Sequence, residues 1–460
     1  MKTINTNQNS YLKVLFALAL PAIAEQFLIT LVTYVDTAMV GSLGAGATAA
    51  IAINSSSTWL INGVLSAIGV GYSVQVAFYS GAKDYEQVRS VVRQAVLAVL
   101  VVGLLIMGCG LAISSRLPVW LGAGEDILAD ARTYLRIYML AIPFQCSVSV
   151  FSAIFRCMGD TKTPMLLNTS SNLLNVVLNF LLIFPTRQIG GITVPGAGLG
   201  VAGAGIATST SIAIVGILLI VITYRRKSNY QIHLRESYKP DRYIIWKAIQ
   251  LSVPVALERI TISSGQIFMT KMVSGLGTVA LASNHVATTA EGLSYMPATG
   301  ISFAATTLVG QSLGAKAPHE AKTYGKMAGW VGFLLSTCMG AMLFIFSQPL
   351  ASIFSSDQAV IDLAARMLRI VAFAEPMFGV SIVLAGALRG AGDTRYPFYV
   401  GLICMVGIRC VLAPIFIFVL GWGLEAIWIA MLIDLCSRGV LCICRLSSGK
   451  WLKASEKLAA

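Results

Sequence analysis

The sequence predicts an all-α membrane protein of twelve transmembrane helices, in two six-helix bundles related by a pseudo-twofold axis along the membrane normal. Three observations carry this. The 460-residue chain is 56% hydrophobic and only 12% charged, with a mean hydropathy of +0.78, too little polar surface to clothe a water-soluble globule. Twelve runs reach the length of about 20 mostly apolar residues that crosses a hydrocarbon core. The chain also matches itself at an offset of 233 residues, with six runs in each half.

The runs fall at 14–40, 47–72, 91–113, 133–155, 163–185, 200–224, 245–270, 279–310, 327–347, 362–388, 397–420 and 424–445. The first follows Lys2 and Lys13 as a signal peptide would. It is too long for one, contains Glu25 and Asp36 and lacks a small-residue cleavage site, so a retained helix is expected. Spans one to six form an N-lobe, 14–224, after a tail, 1–13. A basic linker, 225–244, holds Arg225, Arg226, Lys227, Arg235, Lys239 and Arg242, and Lys247 follows it. Spans seven to twelve form a C-lobe, 245–445, followed by a tail, 446–460.

With both termini in the cytoplasm, inner segments hold 24 of the 33 Lys and Arg and outer segments about seven. This is the positive-inside pattern, expected of a multi-pass protein of a prokaryotic-type inner membrane. The net charge of +13 and pI near 9.4 then speak of topology and anionic headgroups, not of nucleic acid. Nine cysteines lie in or beside apolar runs. Cys442 and Cys444 have no zinc or redox spacing, so the cysteines read as small buried hydrophobes.

The repeat is specific in its residues. Pro21 and Glu25 meet Pro254 and Glu258; MVGSLG at 39–44 meets MVSGLG at 272–277; GAK at 81–83 meets GAK at 314–316; RCMGDTKTP at 156–164 meets RGAGDTRYP at 389–397. Six spans per half start both halves on the same side of the membrane, the arrangement of transporters whose halves rock about a central site. The register then slips, because the Gly-rich stretch 185–200 lengthens one outer loop. No strand is expected before it, so a flexible loop is expected and not a phosphate cradle. In the two R-x-x-G-D-T-x-x-P loops, Arg156 and Arg389 suit a helix C-terminus, Gly159 and Gly392 a left-handed cap, and Asp160 and Asp393 the cap of the next helix. Gly390 to Asp393 also matches the GxGD of intramembrane aspartyl proteases. Its Asp lies in a basic inner loop and its duplicate reads CMGD, so no enzyme is expected.

Six carboxylates fall within spans: Glu25, Asp36, Glu258, Glu291, Glu375 and Asp434. Each must face a cavity or a partner, because an acid in hydrocarbon costs several kcal/mol otherwise. Glu25 and Asp36 are eleven residues apart, on nearly one face of their helix and about 16 Å apart along it. No cation within that helix serves both. On the fifth span Asn168, Asn172, Asn175 and Asn179 recur at i, i+4, i+7 and i+11, a ladder of amides. If that face meets Asp36, then Asn175, Asn179 and Thr208 of the sixth span complete an oxygen pocket for sodium or a proton; the alternative is polar glue between helices. Arg259 diverges from Glu258 by about 100° and is a poor direct partner, though it can reach Glu375 or another helix. Glu291 has no basic neighbour, Glu375 precedes Pro376, and His285 is a relay or a packing residue. Asp434 and Arg438, at i and i+4, are expected to pair.

The segments VDTAMVGSLGA at 35–45, LVGQSLGA at 308–315, GALRGAGDTRYP at 386–397 and RCMGDTKTP at 156–164 resemble the multidrug and toxic compound extrusion (MATE) family, over nearly all twelve spans. The resemblance implies two bundles in a V, exporting organic cations and drugs against sodium or protons. It places Asp36 at the family's first-helix aspartate, Asn175 and Asn179 at its fifth-helix site, Thr208 beside them, and Glu258 at the seventh-helix glutamate of NorM-like members. Asn179 stands where some DinF-like relatives have aspartate. Phe378 stands where NorM-like members have aspartate, with Glu375 one turn earlier.

The function expected is multidrug antiport by alternating access, in which ion and drug compete for an ionised acid. Tyr34, Trp59, Tyr138, Met158 and Phe268 are candidate lining residues. A flippase for lipid-linked saccharides is the alternative, and it calls for a cationic cavity. A channel is a third reading. No cofactor is expected beyond the transported ion; the expected partners are cationic or amphipathic small molecules and the bilayer, with the protein a monomer.

Overall fold

The computed structural model describes residues 8–189, 192–226, 231–233, 236 and 238–459. Lys2, Gly190, Gly191, Lys227 and Arg235 lie outside the described residues.

The first half consists of α1 (Gln8–Gly41), α2 (Ala45–Gly81), α3 (Tyr85–Ile113), short α4 (Leu117–Trp120), α5 (Glu125–Leu140), α6 (Ile142–Cys157), α7 (Lys162–Leu182) and α8 (Gly200–Arg225). The second consists of α9 (Arg242–Ser274), α10 (Thr278–Glu291), α11 (Met296–Gly314), α12 (Pro318–Ile345), short α13 (Ser347–Phe354), α14 (Gln358–Ala372), α15 (Glu375–Gly390), α16 (Arg395–Leu402), α17 (Cys410–Phe418) and α18 (Leu424–Ser448). A π-helical turn, Ile403–Arg409, joins α16 to α17 as one span.

Twelve transmembrane helices in two lobes result. Eight are single apolar helices, and two are bent pairs, α5–α6 by 49° and α14–α15 by 58°. Each bend precedes a proline in the first turn of the following helix, where the missing N–H and the ring's clash with the preceding turn interrupt a continuous helix. The seventh span, α9, carries Glu258 and Arg259 in its middle. The eighth, expected as one run, is broken between α10 and α11, with Pro297 opening the second piece. These two hold the places in the second half that α1 and α2 hold in the first.

The duplication is visible in the packing. Contacts α1–α7, α2–α6, α3–α6 and α6–α8 recur as α9–α16, α11–α15, α12–α15 and α15–α18, and the cross-lobe contact α1–α11 recurs as α9–α2. On the pseudo-axis α2 crosses α11 at the glycines of the two GAK motifs. A Cβ on Gly81 would lie 1.9 Å from the Gln311 carbonyl oxygen, and one on Gly314 1.8 Å from that of Phe78. Cross-lobe contacts gather at this end, where the chain begins and ends. Tyr11, Leu15, Phe78, Leu251, Leu313 and Trp451 share one apolar cluster. Gln75 donates to the Ile244 carbonyl at 3.3 Å, Thr307 to that of Arg156 at 3.1 Å and Gln311 to that of Cys157 at 2.8 Å. Toward the other end the facing sides of α1, α2 and α9 are exposed at Thr33, Thr37, Ser56, Trp59, Gln266 and Thr270, so the lobes part into a cleft.

One expectation is corrected. The Gly-rich stretch forms an antiparallel hairpin of β1 (Pro185–Ile189) and β2 (Ile192–Ala197), not a loose loop; Gly196 is required where a Cβ would meet the Phe184 carbonyl at 2.2 Å. The C-terminal tail is helical, α19 (Leu452–Ala459). It is anchored by buried Trp451, whose indole donates to the Leu446 carbonyl at 2.9 Å.

Candidate functional site

In α1 and α7, which run side by side from the same end, the amide ladder meets the two acids rung by rung. Asn168 Nδ2 donates to Glu25 Oε1 at 2.6 Å, and Asn179 Nδ2 donates to Asp36 Oδ1 at 2.8 Å. Both pairs are separated by 143 positions, so the eleven-residue spacing on one helix reads directly onto the other. Asn179 also donates to Asn175 Oδ1 at 3.2 Å, and Asn175 Nδ2 lies 3.1 Å from Thr208 Oγ1. Turning the Asn175 amide suits both of its ends better. Its nitrogen then lies 2.7 and 2.9 Å from the Asp36 oxygens, and its oxygen accepts from Thr208 at 3.1 Å. Among the described residues Asn179 Oδ1 is buried without a donor, and Asn172 Nδ2 without an acceptor. Asp36, Asn175, Asn179 and Thr208 are thus brought together; Asn172 is not.

The two acids differ in one respect. Arg156 Nη2 pairs with Glu25 at 3.0 Å, its guanidinium resting 4.4 Å over the Phe303 ring of the other lobe. Asp36 has no such partner among the described residues. At the duplicate positions, Arg389 Nη2 lies 2.8 Å from both oxygens of Glu258. Neither Glu25 nor Glu258 stands alone: each is matched by the arginine that opens the R-x-x-G-D-T-x-x-P loop. Both arginines lie in the last turn of their helices, as the sequence predicts. Long side chains at a helix terminus reach back into the bundle, and one sequence does not say toward what.

Each loop carries a second pair. Asp160 meets Arg226, and Asp393 Oδ2 meets Arg445 Nη2 at 2.8 Å, so each loop straps the first, fourth and sixth spans of its lobe together. Asp160 also caps α7 through the Thr163 backbone N–H at 3.0 Å. Burial alone would push its carboxyl up, but the Thr163 hydrogen bonds and the Arg226 guanidinium outweigh that and hold it below the usual value. Asp393 does not cap α16, because Arg445 takes it instead.

In the second lobe Glu291 ends α10 and Glu375 opens α15, both buried. Among the described residues neither oxygen of Glu375 has a partner in good hydrogen-bond geometry, the Ser294 hydroxyl being a neighbouring donor, and the two carboxyls lie within electrostatic reach of each other and of Tyr295. Asp434 Oδ1 is 2.7 Å from Arg438 Nε, the expected pair, and its Oδ2 is 2.7 Å from Arg409 Nε. Arg409 comes from the π-helical turn, which no sequence signal disclosed, and it faces Glu291 electrostatically. His285 is exposed, and its ring makes no ion pair or hydrogen bond among the described residues. Those residues include no cluster of three His, Cys, Asp or Glu suited to a metal. A sodium ion at Asp36 would instead rest on one carboxylate with amide and hydroxyl oxygens.

The lining candidates separate. Tyr34 reaches across to the other lobe, donating to the Thr289 carbonyl at 3.2 Å beside the Phe354 ring. Trp59 is exposed on α2. Tyr138 is buried, its hydroxyl accepting from Asn62 at 3.1 Å, and Met158 packs in the first lobe's core. Phe268 lies on the outer apolar face of α9 with Ile260 and Ile267. These last three do not line the cleft.

The MatE family model matches residues 21–181 and 254–415, two segments that begin 233 positions apart and contain all of these acids but Asp434. The chain belongs to the MatE family. The probable multidrug resistance protein NorM of Thermotoga maritima is 29% identical over 444 residues, 96% of this chain and 93% of that protein. Multidrug resistance protein MdtK of Yersinia pestis is 27% identical, covering 95% of each. Among solved structures, a MATE in complex with MaL6 superposes with a TM-score of 0.88 at 21% identity, over 95% of this chain and 97% of that one. The outward-facing conformation of a multidrug resistance MATE family transporter of the MOP superfamily gives 0.88 at 21%, over 95% and 96%. This MatE chain is therefore an integral, multi-pass membrane protein with the two-lobe MATE fold.

Proposed function

We propose that this MatE protein exports cationic and amphipathic drugs by antiport with sodium or protons, through alternating access, as a monomer in an inner membrane with both termini in the cytoplasm. One observation carries the reading: Asp36 is the acid on the ladder left without an arginine, held by amides beside a buried, unpartnered amide oxygen. An anion so held in a low-dielectric bundle is neutralised by whatever small cation reaches it. With the cleft open, Asp36 takes a sodium ion or a proton; once the lobes rock about the Gly81–Gly314 crossing, the ion leaves on the other side. The names of the NorM and MdtK relatives support drug export as the coupled flux. Glu291 and Glu375 form a second candidate site in the other lobe.

The test is uptake of a fluorescent cation into everted vesicles, under a sodium gradient and a proton gradient imposed separately. Accumulation driven by one gradient and lost in Asp36→Asn supports the proposal. Accumulation driven by neither defeats antiport.

A further inference from the structure

Arg259 is a membrane-depth charge that the coupling sites do not use. Its neighbour Glu258 is taken by Arg389, and among the described residues Arg259 makes no ion pair and no hydrogen bond, yet it is exposed. A guanidinium at this depth is tolerated only toward water or a partner, so its direction is informative. On α9 the buried Val255, Glu258, Gly265 and Met269 form one face, and the exposed Leu257, Ile260 and Ile267 form another. Arg259, Ser263, Gln266 and Thr270 recur at i, i+4, i+7 and i+11 and form a third, polar stripe. The duplicate helix α1 carries Gln26, Thr30, Thr33 and Thr37 at the matching positions. Thr30 Oγ1 lies 3.4 Å from Met296 Sδ of the other lobe, so this stripe faces across the cleft. Arg259 stands where its counterpart is a neutral Gln26.

The arginine is also seated. A Cβ on Gly63 of α2 would lie 3.2 Å from Arg259 Cβ and 3.5 Å from its Cγ, so the glycine leaves room for the stem where α2 and α9 part. One turn farther out on the same side of α2, Trp59 is 73% exposed. An arginine stem seated one helical turn from an uncovered indole offers a planar fork for a carboxylate or sulfonate and a wall on which a ring stacks.

We propose that Arg259 and Trp59 are specificity-determining residues, the first binding the acidic group and the second the ring of an aromatic zwitterion. As a statement about transport this rests on the efflux reading; as a statement about binding it does not.

The experiment is equilibrium binding by fluorescence polarisation, with purified full-length protein in maltoside micelles and no ion gradient. Rhodamine B, whose free carboxylate makes it a zwitterion, is compared with its ethyl ester, which lacks that charge. Arg259→Gln, the residue of the duplicate helix, should weaken rhodamine B about tenfold, equivalent to about 1.4 kcal/mol, and leave the ester within about twofold. Arg259→Lys, which keeps the charge but not the fork, should fall between. Unchanged rhodamine B binding in Arg259→Gln, equal losses for both dyes, or a parent that binds only the ester overturns the proposal. Should Arg259→Gln not give folded protein, Arg259→Lys decides by the same comparison. Because no gradient is imposed, a failure of antiport leaves this result readable.

Discussion

Replacing Arg389 with glutamine strands Glu258. The guanidinium nitrogen lies 2.8 Å from both carboxylate oxygens, and Glu258 is only 8% exposed, so water cannot take its place. Breaking a buried pair from one side costs about 3–5 kcal/mol, most of it the stranded charge, whereas replacing both partners is close to neutral. Arg389→Gln should therefore lose about 3–5 kcal/mol, and adding Glu258→Gln should recover most of that. The duplicate pair provides an internal comparison. In Arg156→Gln the Glu25 carboxylate keeps Asn168 at 2.6 Å, and a hydrogen bond to a charged group is worth about 1.5–3 kcal/mol, so this variant should lose less by about 1.5 kcal/mol. Equilibrium unfolding in mixed SDS and maltoside micelles, followed by tryptophan fluorescence, measures all four proteins. A double variant as unstable as Arg389→Gln alone, or equal losses in the two single arginine variants, would refute the strap account.

Gly81→Ala should disfavour the arrangement in which the lobes meet at the end bearing the termini, because its Cβ would fall 1.9 Å from a backbone oxygen. Cysteine crosslinking of α2 to α11 at that end should drop several-fold, and an unchanged yield counts against the crossing as the pivot. Asp160 has a lowered carboxyl pKa outside the membrane. Its contribution is present above the unfolded value and disappears as pH falls through the carboxylate range. With the Arg226 side chain 53% exposed and that of Asp160 21%, the stability lost should stay below about 1 kcal/mol, and Asp160→Asn should flatten that part of a pH-dependent melting curve. Asn172→Leu removes a buried donor that has no acceptor, so stability should be unchanged or slightly higher; a loss above about 1 kcal/mol would mean the amide has a partner.

The architecture was legible because a duplicated, strongly apolar chain leaves few ways to arrange twelve helices, and the spacing of Glu25 and Asp36 anticipated a ladder on the facing helix. What escaped was of two kinds. The arginines of the R-x-x-G-D-T-x-x-P loops do lie in the last turns of their helices, as expected, but their pairing with Glu25 and Glu258 was not legible, because a side chain that reaches back into a bundle leaves no periodicity to read. The break between α10 and α11 is marked by Gly292 and Pro297, which lie inside a run long enough to read as one span, whereas the π-helical turn that aims Arg409 leaves no such mark. The hairpin at 185–197 escaped for a different reason: its glycines suggest mobility, yet Gly196 is there for a close backbone approach. Tyr138, Met158 and Phe268 show that residue type alone does not separate lumen, core and lipid faces.

The most direct measurement is competition between a fluorescent cationic drug and the coupling ion on purified protein, titrating sodium at fixed pH and then pH at fixed sodium. In the parent, one of the two should displace the dye along a single saturable curve, and in Asp36→Asn that displacement should vanish while Glu25→Gln retains it. Displacement that survives intact in Asp36→Asn would contradict the account.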